Sequence, residues 1–243
     1  EAARLAAKAD GLTDLAVAEY PVAIGIQDPE EIRETIRTSL FAQIVDGLTG
    51  AANGASQAVG RNTDPMGTVF DGGLDQINQH FAANGWSDGL AIIPPTPERV
   101  AAFLRCTDHR PDEVIAVLPQ ANQAATPVNI AANGVMAGCR PEHMPILIAA
   151  VQAIGDEHYN LGNIGTTGTL VPFLLINGPI IEQLKIECRG QLISRGPNPG
   201  LGRALGLIVR NIAGYRPGRN YLGTFGYQMP FALAENEAES PWP

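Results

Sequence analysis

Glycine and proline interrupt this chain so often that its helices and strands must be short. The 243 residues include 27 glycines and 19 prolines, about 19% of the total. Proline removes a backbone hydrogen-bond donor and glycine weakens regular structure, so both residues concentrate in turns and at the ends of elements. The sequence therefore predicts a loop-rich fold, and it contains no apparent internal repeat.

Charge is sparse and mostly negative. Charged residues form 17% of the chain, below the usual value of about 25%, and the formal net charge is −9. An acidic chain lacks the basic field that attracts nucleic acid, and no apolar run approaches the roughly 20 residues that cross a bilayer. We therefore expect no nucleic-acid partner and no membrane span. Weakly charged, loop-rich surfaces favour a homo-oligomer.

The three cysteines, Cys106, Cys139 and Cys188, are too few and too scattered for a disulfide framework. They indicate a reducing compartment, and we expect a cytoplasmic protein. Residues 1–12 are charged and helical rather than a secretory signal. The absence of an initiating Met before Glu1 suggests a fragment of a longer protein, a processed chain or a sequence that starts late.

Hydrophobic periodicity and helix-start signals predict a mixed α/β protein of two parts. Residues 1–49 read as a helix over Glu1–Asp10, a strand over Tyr20–Ile26 and a helix that starts at Asp28-Pro29. This order is typical of the closing helix-strand-helix of a small α/β domain. Residues 50–73 are rich in Gly, Ala, Asn and Ser and predict a linker. Residues 74–243 form the predicted main α/β domain.

Within the main domain, caps and apolar runs predict alternating helices and strands. The predicted helices begin near Leu74, Thr96, Thr126, Pro141 and Asn198. The predicted strands span Leu90–Ile93, Val114–Leu118, Leu170–Ile176 and Phe231–Ala234.

Cys139 is the leading candidate for a reactive group. It lies between a helix that ends at Gly138 and a predicted helix that starts at Pro141. A helix N-terminus and the neighbouring Arg140 would stabilise a thiolate, which predicts a lowered pKa. Glu142 and His143 follow at once and could act as a base or as metal ligands. The alternative is a buried structural cysteine, and the spacing fits no standard zinc site, so the metal and the cofactor stay unknown.

Four other segments carry candidate site residues. Trp86 could stack on a ligand and Asp88 could bond to one, although a capped turn explains both equally well. Backbone amides and hydroxyls around Thr166 and Thr167 could cradle an anion, as could the helix start that carries Arg203. Glu235 and Glu237 follow a predicted strand and could supply a general acid or base, or could form a solvated tail.

Three segments together resemble a known family: Asn84–Val100 (NGWSDGLAIIPPTPERV), Val135–Pro145 (VMAGCRPEHMP) and Ala234–Trp242 (AENEAESPW). The chain resembles the bacterial UGSC-type selenoprotein-like family, named after a selenocysteine-or-cysteine, Gly, Ser, Cys motif, from about Val69 to its end. Glu1–Leu48 also resembles the closing part of the small domain that carries the motif, although the motif itself is absent from these 243 residues. The resemblance implies a thiol- or selenol-dependent enzyme that acts on small molecules. It supports Cys139 as a site residue, with Trp86, Asp88, Asn177, Glu235 and Glu237 as companions.

Three functional hypotheses follow. The first is an oxidoreductase or lyase in which Cys139 acts as a nucleophile or redox thiol. In this hypothesis Glu142, His143 or a tail carboxylate acts as the general acid or base, and residues such as Arg140 bind the substrate. The second is a lyase or hydrolase that uses carboxylate or metal-assisted chemistry, with Cys139 structural. The third is a non-catalytic subunit whose partner is an upstream domain or subunit that bears the UGSC motif.

Overall fold

The computed structural model describes residues 16–21, 28–49, 66–164, 171–190, 194–217, 221 and 232–239. The chain divides into two compact units, Glu1–Thr63 and Asp64–Pro243. The division falls inside the predicted linker of residues 50–73.

The first unit contains a helical segment that starts where the sequence predicts. Helix α1 spans Pro29–Thr35, a π-helical turn spans Ile36–Leu40, and helix α2 spans Phe41–Thr49. The Asp28 carboxylate accepts bonds from the backbone N–H groups of Glu30 and Glu31, at 2.8 and 3.0 Å, and thereby caps α1. The predicted helix Glu1–Asp10 and most of the predicted strand Tyr20–Ile26 lie outside the described residues.

The second unit is mainly helical. Its helices are α3 (Leu74–Ala83), α4 (Pro97–Leu104), α5 (Pro127–Met136), α6 (Met144–Gly155), α7 (Ile180–Leu184) and α8 (Asn198–Asn211). Short 3-10 helices span Pro141–His143, Glu157–Tyr159, Leu161–Asn163 and Glu237–Glu239. A proline stands in the first turn of α4, α5, α6 and α8, where its missing N–H costs nothing. The five predicted helix starts in this unit are therefore confirmed to within a few residues.

The strands of the second unit form two small sheets. Strands β1 (Ala116–Leu118) and β2 (Gln123–Ala125) form an antiparallel hairpin, while β3 (Leu174–Ile176) and β4 (Ala232–Ala234) pair in parallel. Helices combined with two-stranded sheets place the molecule in the general α/β class.

The predicted strand over Leu90–Ile93 is wrong. The backbone groups of this segment bond to side chains and to a helix end instead of to another strand. Arg203 donates to the Ala91 carbonyl at 2.9 Å, and the Ile92 N–H donates to the Asn78 side chain at 2.7 Å. The backbone N–H and carbonyl groups of this segment therefore find hydrogen-bond partners without pairing in a sheet.

The core lies between α5, α6 and α8. Ile130, Leu147, Leu205 and Ile208 are fully buried there. Helix α5 packs closely because Gly134 has no side chain: a Cβ atom at this position would lie 2.7 Å from Leu147 Cδ1.

Buried amides tie the helices to neighbouring loops. The Asn211 side chain donates to the Asn133 side chain at 2.8 Å and to the Trp86 carbonyl at 2.9 Å. The sequence predicts that Asn198 caps α8, but its side chain is completely buried and bonds to both backbone groups of Glu187. Asn198 therefore connects a loop to the core, and Pro197 occupies the cap position.

Candidate functional site

Cys139 lies at the carboxyl end of α5, directly after Gly138, whose left-handed φ of 85° ends the helix. Its backbone N–H donates to the Gly134 carbonyl at 2.9 Å. Burial raises the pKa of the Cys139 thiol to about 12, because a thiolate loses its water there. The expected lowering of this pKa is therefore wrong. The carboxyl end of α5, three residues before Cys139, offers carbonyl groups, which disfavour negative charge.

Cys139 nevertheless lines a pocket of about 250 Å³. The other lining residues are Ile93, Arg99, Ala102, Phe103, Val135 and Pro141. The Arg99 guanidinium donates to the Pro94 carbonyl at 2.9 Å. The thiol therefore borders an apolar pocket whose cation already has a partner.

His143 and Arg140 have structural contacts. The Arg140 backbone N–H donates to His143 Nδ1 at 3.2 Å, and the Arg140 guanidinium donates to the Leu184 carbonyl at 3.1 Å, at the end of α7. Burial, followed by the charge of Arg140, lowers the pKa of the His143 imidazole, although the exposed Glu142 opposes this. The ring is therefore neutral at pH 7, with Nδ1 occupied by a backbone donor.

Asp88 and Arg203, two predicted substrate ligands, bind each other. Arg203 Nε donates to Asp88 Oδ2 at 2.8 Å and Nη2 donates to Oδ1 at 2.9 Å, with both side chains about 15% exposed. Burial raises the pKa of the Asp88 carboxyl, but the bonds and charge of Arg203 outweigh this effect and leave the pKa below its usual value. The pair attaches the loop after α3 to helix α8.

Trp86 belongs to an aromatic cluster rather than to an open site. Its ring meets Phe81 and His80 edge-on, with centroids 5.4 and 5.5 Å apart, and Phe70 stacks on His80 at 4.4 Å. The half-buried Trp86 therefore packs as part of a turn, as the alternative interpretation predicts.

The structure gathers the tail carboxylates and Asn177 at the carboxyl end of β3 and β4. The Glu235 N–H donates to the Ile176 carbonyl at 2.9 Å, and the Gly178 N–H donates to the Glu237 carboxylate at 2.6 Å. Strand ends of this kind often border ligands. Thr166 and Thr167, which were predicted to contact an anion, lie outside the described residues.

A further cavity in the second unit was not predicted from the sequence. It has a volume of about 470 Å³. One wall is formed by residues 66–72, which we call the strap, and the other walls are formed by helix α3, the start of helix α4 and helix α5. Its lining comprises Met66, Gly67, Thr68, Val69, Phe70, Asp71, Gly72, Ile77, Phe81, Pro94, Pro95, Thr96, Pro97, Val100, Val128 and Ala132. We call this space the strap cavity. The isolated apolar pair Val69-Phe70 within the predicted linker was an available signal.

Comparison with known proteins gives no relative. No protein-family model, curated protein or solved structure matches this chain. Within the described ranges, no three His, Cys, Asp or Glu side chains are placed to share a metal ion. In the same part of the chain, no helix has the length and apolar character needed to cross a membrane.

Proposed function

We propose that the second unit binds a small, largely apolar organic molecule in the strap cavity. The chemistry on that molecule would come from a thiol or selenol outside these 243 residues, as the resemblance to the UGSC-type family implies. The observation that carries the proposal is the lining of the cavity. Of its sixteen residues, Asp71 alone has a titratable side chain.

The size and walls of the cavity support binding of such a molecule. Small-molecule sites usually enclose roughly 300–1,000 Å³ and have mainly apolar walls with a few polar groups. Thr68 and Asp71 supply polar groups on the strap, opposite prolines and aliphatic side chains. Val69 is 60% exposed and Phe70 is 37% exposed. A bound apolar molecule would remove part of this surface from water, which stabilises the complex by about 25 cal/mol per Å².

The protonation state of Cys139 supports placing the chemistry elsewhere. Cys139 does not line the strap cavity, and its pKa of about 12 leaves very little thiolate at neutral pH. The neutral thiol is a weak nucleophile. A second thiol or selenol would therefore carry the reaction more readily than Cys139.

The test uses fluorobenzene as a probe and fluorine NMR as the readout. We expect the wild-type chain to bind fluorobenzene and Ala132→Phe, which fills the cavity from α5, to bind at least about tenfold more weakly. Ala149→Phe makes the same change at an exposed position of α6 and should bind like the wild type.

Val69→Asp provides a second variant, because Val69 is exposed and its replacement should not disturb the core. It adds a charge to the rim and should also weaken binding. No binding by the wild type, or equal binding by Ala132→Phe and Val69→Asp, would contradict the proposed function.

A second candidate function is thiol chemistry at Cys139 itself. It is favoured by one observation: Cys139 lines its own pocket of about 250 Å³, beside Arg99. A substrate that entered this pocket would meet the sulfur directly. This candidate requires a means of forming the thiolate, which burial opposes.

Alkylation by iodoacetamide at about pH 7.5 separates the two candidates. A rise in the pKa from 9.0 to about 12 lowers the thiolate fraction about a thousandfold, so we expect Cys139 to react far more slowly in the native chain than in urea. Peptide mass mapping gives the rate at each cysteine, with Cys106 and Cys188 as internal references. Faster labelling of Cys139 in the native state would favour the thiol enzyme.

A further inference from the structure

The strap cavity combines one acidic side chain with an otherwise uncharged lining. Asp71 is exposed on the strap, and none of the other lining residues is Asp, Glu, Lys, Arg or His. Within the part of the chain that the structure describes, the Asp71 side chain has no hydrogen bond and no ion pair. A carboxylate without a protein partner therefore borders an apolar cavity.

The wall opposite the strap is poor in hydrogen-bond donors. Three of its residues are prolines, which have no backbone N–H: Pro94, Pro95 and Pro97. The Thr96 N–H donates to the Pro94 carbonyl at 2.9 Å, and the Val128 N–H donates to the Pro111 carbonyl at 3.3 Å. The Thr96 side chain also bonds to the Glu98 carboxylate. A ligand in this cavity therefore meets few donors and must bring its own.

The charges at the two helix starts beside the cavity do not cancel that of Asp71. The amino ends of α3 and α4 contribute about half a positive charge each. Asp75 and Glu98 stand in the first turns of these helices, and Arg99 follows Glu98. With histidine counted as neutral, about two positive charges face three carboxylates. These groups leave an excess of about one negative charge.

Contacts on both sides of Asp71 hold the strap against α3. The Phe70 ring stacks on His80 with centroids 4.4 Å apart, and the Gly73 N–H donates to Gln76 Oε1 at 2.9 Å. A Cβ atom at Gly72 would lie 3.0 Å from Phe70 Cε1, so this close approach requires glycine. Asp71 is thus attached to the cavity wall by its neighbours.

We propose that the molecule bound in the strap cavity carries an ammonium group, which the Asp71 carboxylate binds. This inference rests on the function proposed above and adds the chemical class of the ligand. An ammonium group has three N–H donors and a positive charge, and it is attracted to aromatic rings such as those of Phe70 and Phe81 in the lining. The apolar part of the same molecule would lie against the prolines and aliphatic side chains.

The test compares 4-fluorobenzylamine with 4-fluorobenzyl alcohol, which has nearly the same shape but no charge. Fluorine NMR at pH 7.5 and low ionic strength measures the affinity of the full chain for each. We expect the amine to bind about fivefold more tightly, as is typical of an exposed charge pair. Added sodium chloride should reduce this preference, because salt screens the charges.

Variants at Asp71 assign the preference to its carboxylate. Asp71 is exposed, so we expect Asp71→Asn to fold, and the amine preference should fall below about twofold. Asp71→Lys should reverse the preference, because like charges repel, and it replaces the first variant if that one does not fold. Asp112→Asn removes an exposed carboxylate elsewhere and should retain the wild-type preference. A preference that survives both Asp71 substitutions would overturn the proposal.

The cavity variant Ala132→Phe separates failure of this inference from failure of the proposed function. If both probes bind equally to the wild type and more weakly to Ala132→Phe, the cavity binds apolar molecules and the ammonium proposal is wrong. If neither probe nor fluorobenzene binds the wild type, the proposed function fails and this inference fails with it. An amine preference of unchanged size and affinity in Ala132→Phe would place the amine outside the cavity and overturn the inference alone.

Discussion

At the scale of single residues, the Asp88–Arg203 ion pair determines the position of a loop that the sequence alone assigns to a ligand site. Both side chains are largely buried, and Arg203 also donates to the Ala91 carbonyl. The pair therefore replaces strand hydrogen bonds over residues 90–93. Its role in the structure is to connect this loop to α8.

Removing one member of this pair should destabilise the protein. Asp88→Asn leaves the Arg203 charge without its carboxylate, and we expect the free energy of unfolding at pH 7 to fall by roughly 2–3 kcal/mol. Urea unfolding measures the change. Asp112→Asn, which removes an exposed partner of Arg110, should change stability by less than about 0.5 kcal/mol. Equal effects of the two substitutions on the free energy of unfolding would show that the buried pair stabilises the protein no more than the exposed pair does.

The same pair predicts a pH dependence. The pKa of Asp88 is lowered in the folded state, so its contribution to stability is complete above the unfolded pKa of about 3.9 and is lost as pH falls toward the folded value. The stability difference between the wild type and Asp88→Asn should therefore be constant from about pH 7 to pH 5 and shrink below pH 4. Unfolding measured at several pH values checks this, and a difference that grows on acidification would contradict it.

Cys139 shows what neighbouring residues in sequence cannot predict. The sequence places Cys139 beside Arg140 and ahead of Pro141, which suggests a stabilised thiolate. In the fold, Arg140 bonds to the Leu184 carbonyl, 44 residues away, and Cys139 is half-buried against the core. The loss of solvation depends on residues that are distant along the chain, so sequence adjacency gives the wrong sign for the pKa shift.

At the scale of secondary structure, helix starts are predicted well because their signals are local. Asp28 and the first-turn prolines act within three residues of the helix they begin. The hairpin partner β2 and the short helix α7 were not predicted, since three to five residues carry too little periodicity.

Helix α5 supplies a prediction about packing. Gly134→Ala would place a Cβ atom 2.7 Å from Leu147 Cδ1 and 2.9 Å from Phe103 Cε1. This overpacking should outweigh the higher helix propensity of alanine and destabilise the protein by about 1–2 kcal/mol.

Gly200→Ala in α8 is the matched control for this substitution. Its Cβ would lie 3.7 to 3.9 Å from its nearest neighbours, which is ordinary contact, so we expect no loss of stability. Thermal or urea unfolding compares the two variants. A Gly134→Ala variant as stable as Gly200→Ala would show that α5 and α6 can separate at little cost.

At the scale of the whole molecule, the buried apolar residues named in the structure all belong to the second unit, from Phe81 onward. In the first unit, Phe41 and Leu48 on α2 are 62% and 81% exposed. The hydrophobic contribution to stability within the described residues therefore comes from the second unit.

Deletion of residues 1–63 should leave this core intact. We expect the shortened chain to unfold cooperatively, with a Tm within about 3 °C of the full chain, the shift that roughly 1 kcal/mol gives in a domain of this size. Differential scanning calorimetry measures both chains. Deletion of residues 1–96, which also removes the buried Phe81 and Ile92, is the comparison and should abolish the cooperative transition. Loss of that transition in the first deletion would mean that residues 1–63 are needed for a stable core.

The sequence by itself determined where helices begin, because Asp28 and the prolines act over a single turn, and it indicated a general α/β protein with short elements. The tertiary structure decided which candidate residues meet one another. It joined Asp88 to Arg203, placed the half-buried Cys139 against the core, and brought the strap to the same cavity as Phe81 and Val100. Burial and charge depend on residues that are far apart along the chain, and only the packed fold brings those residues together.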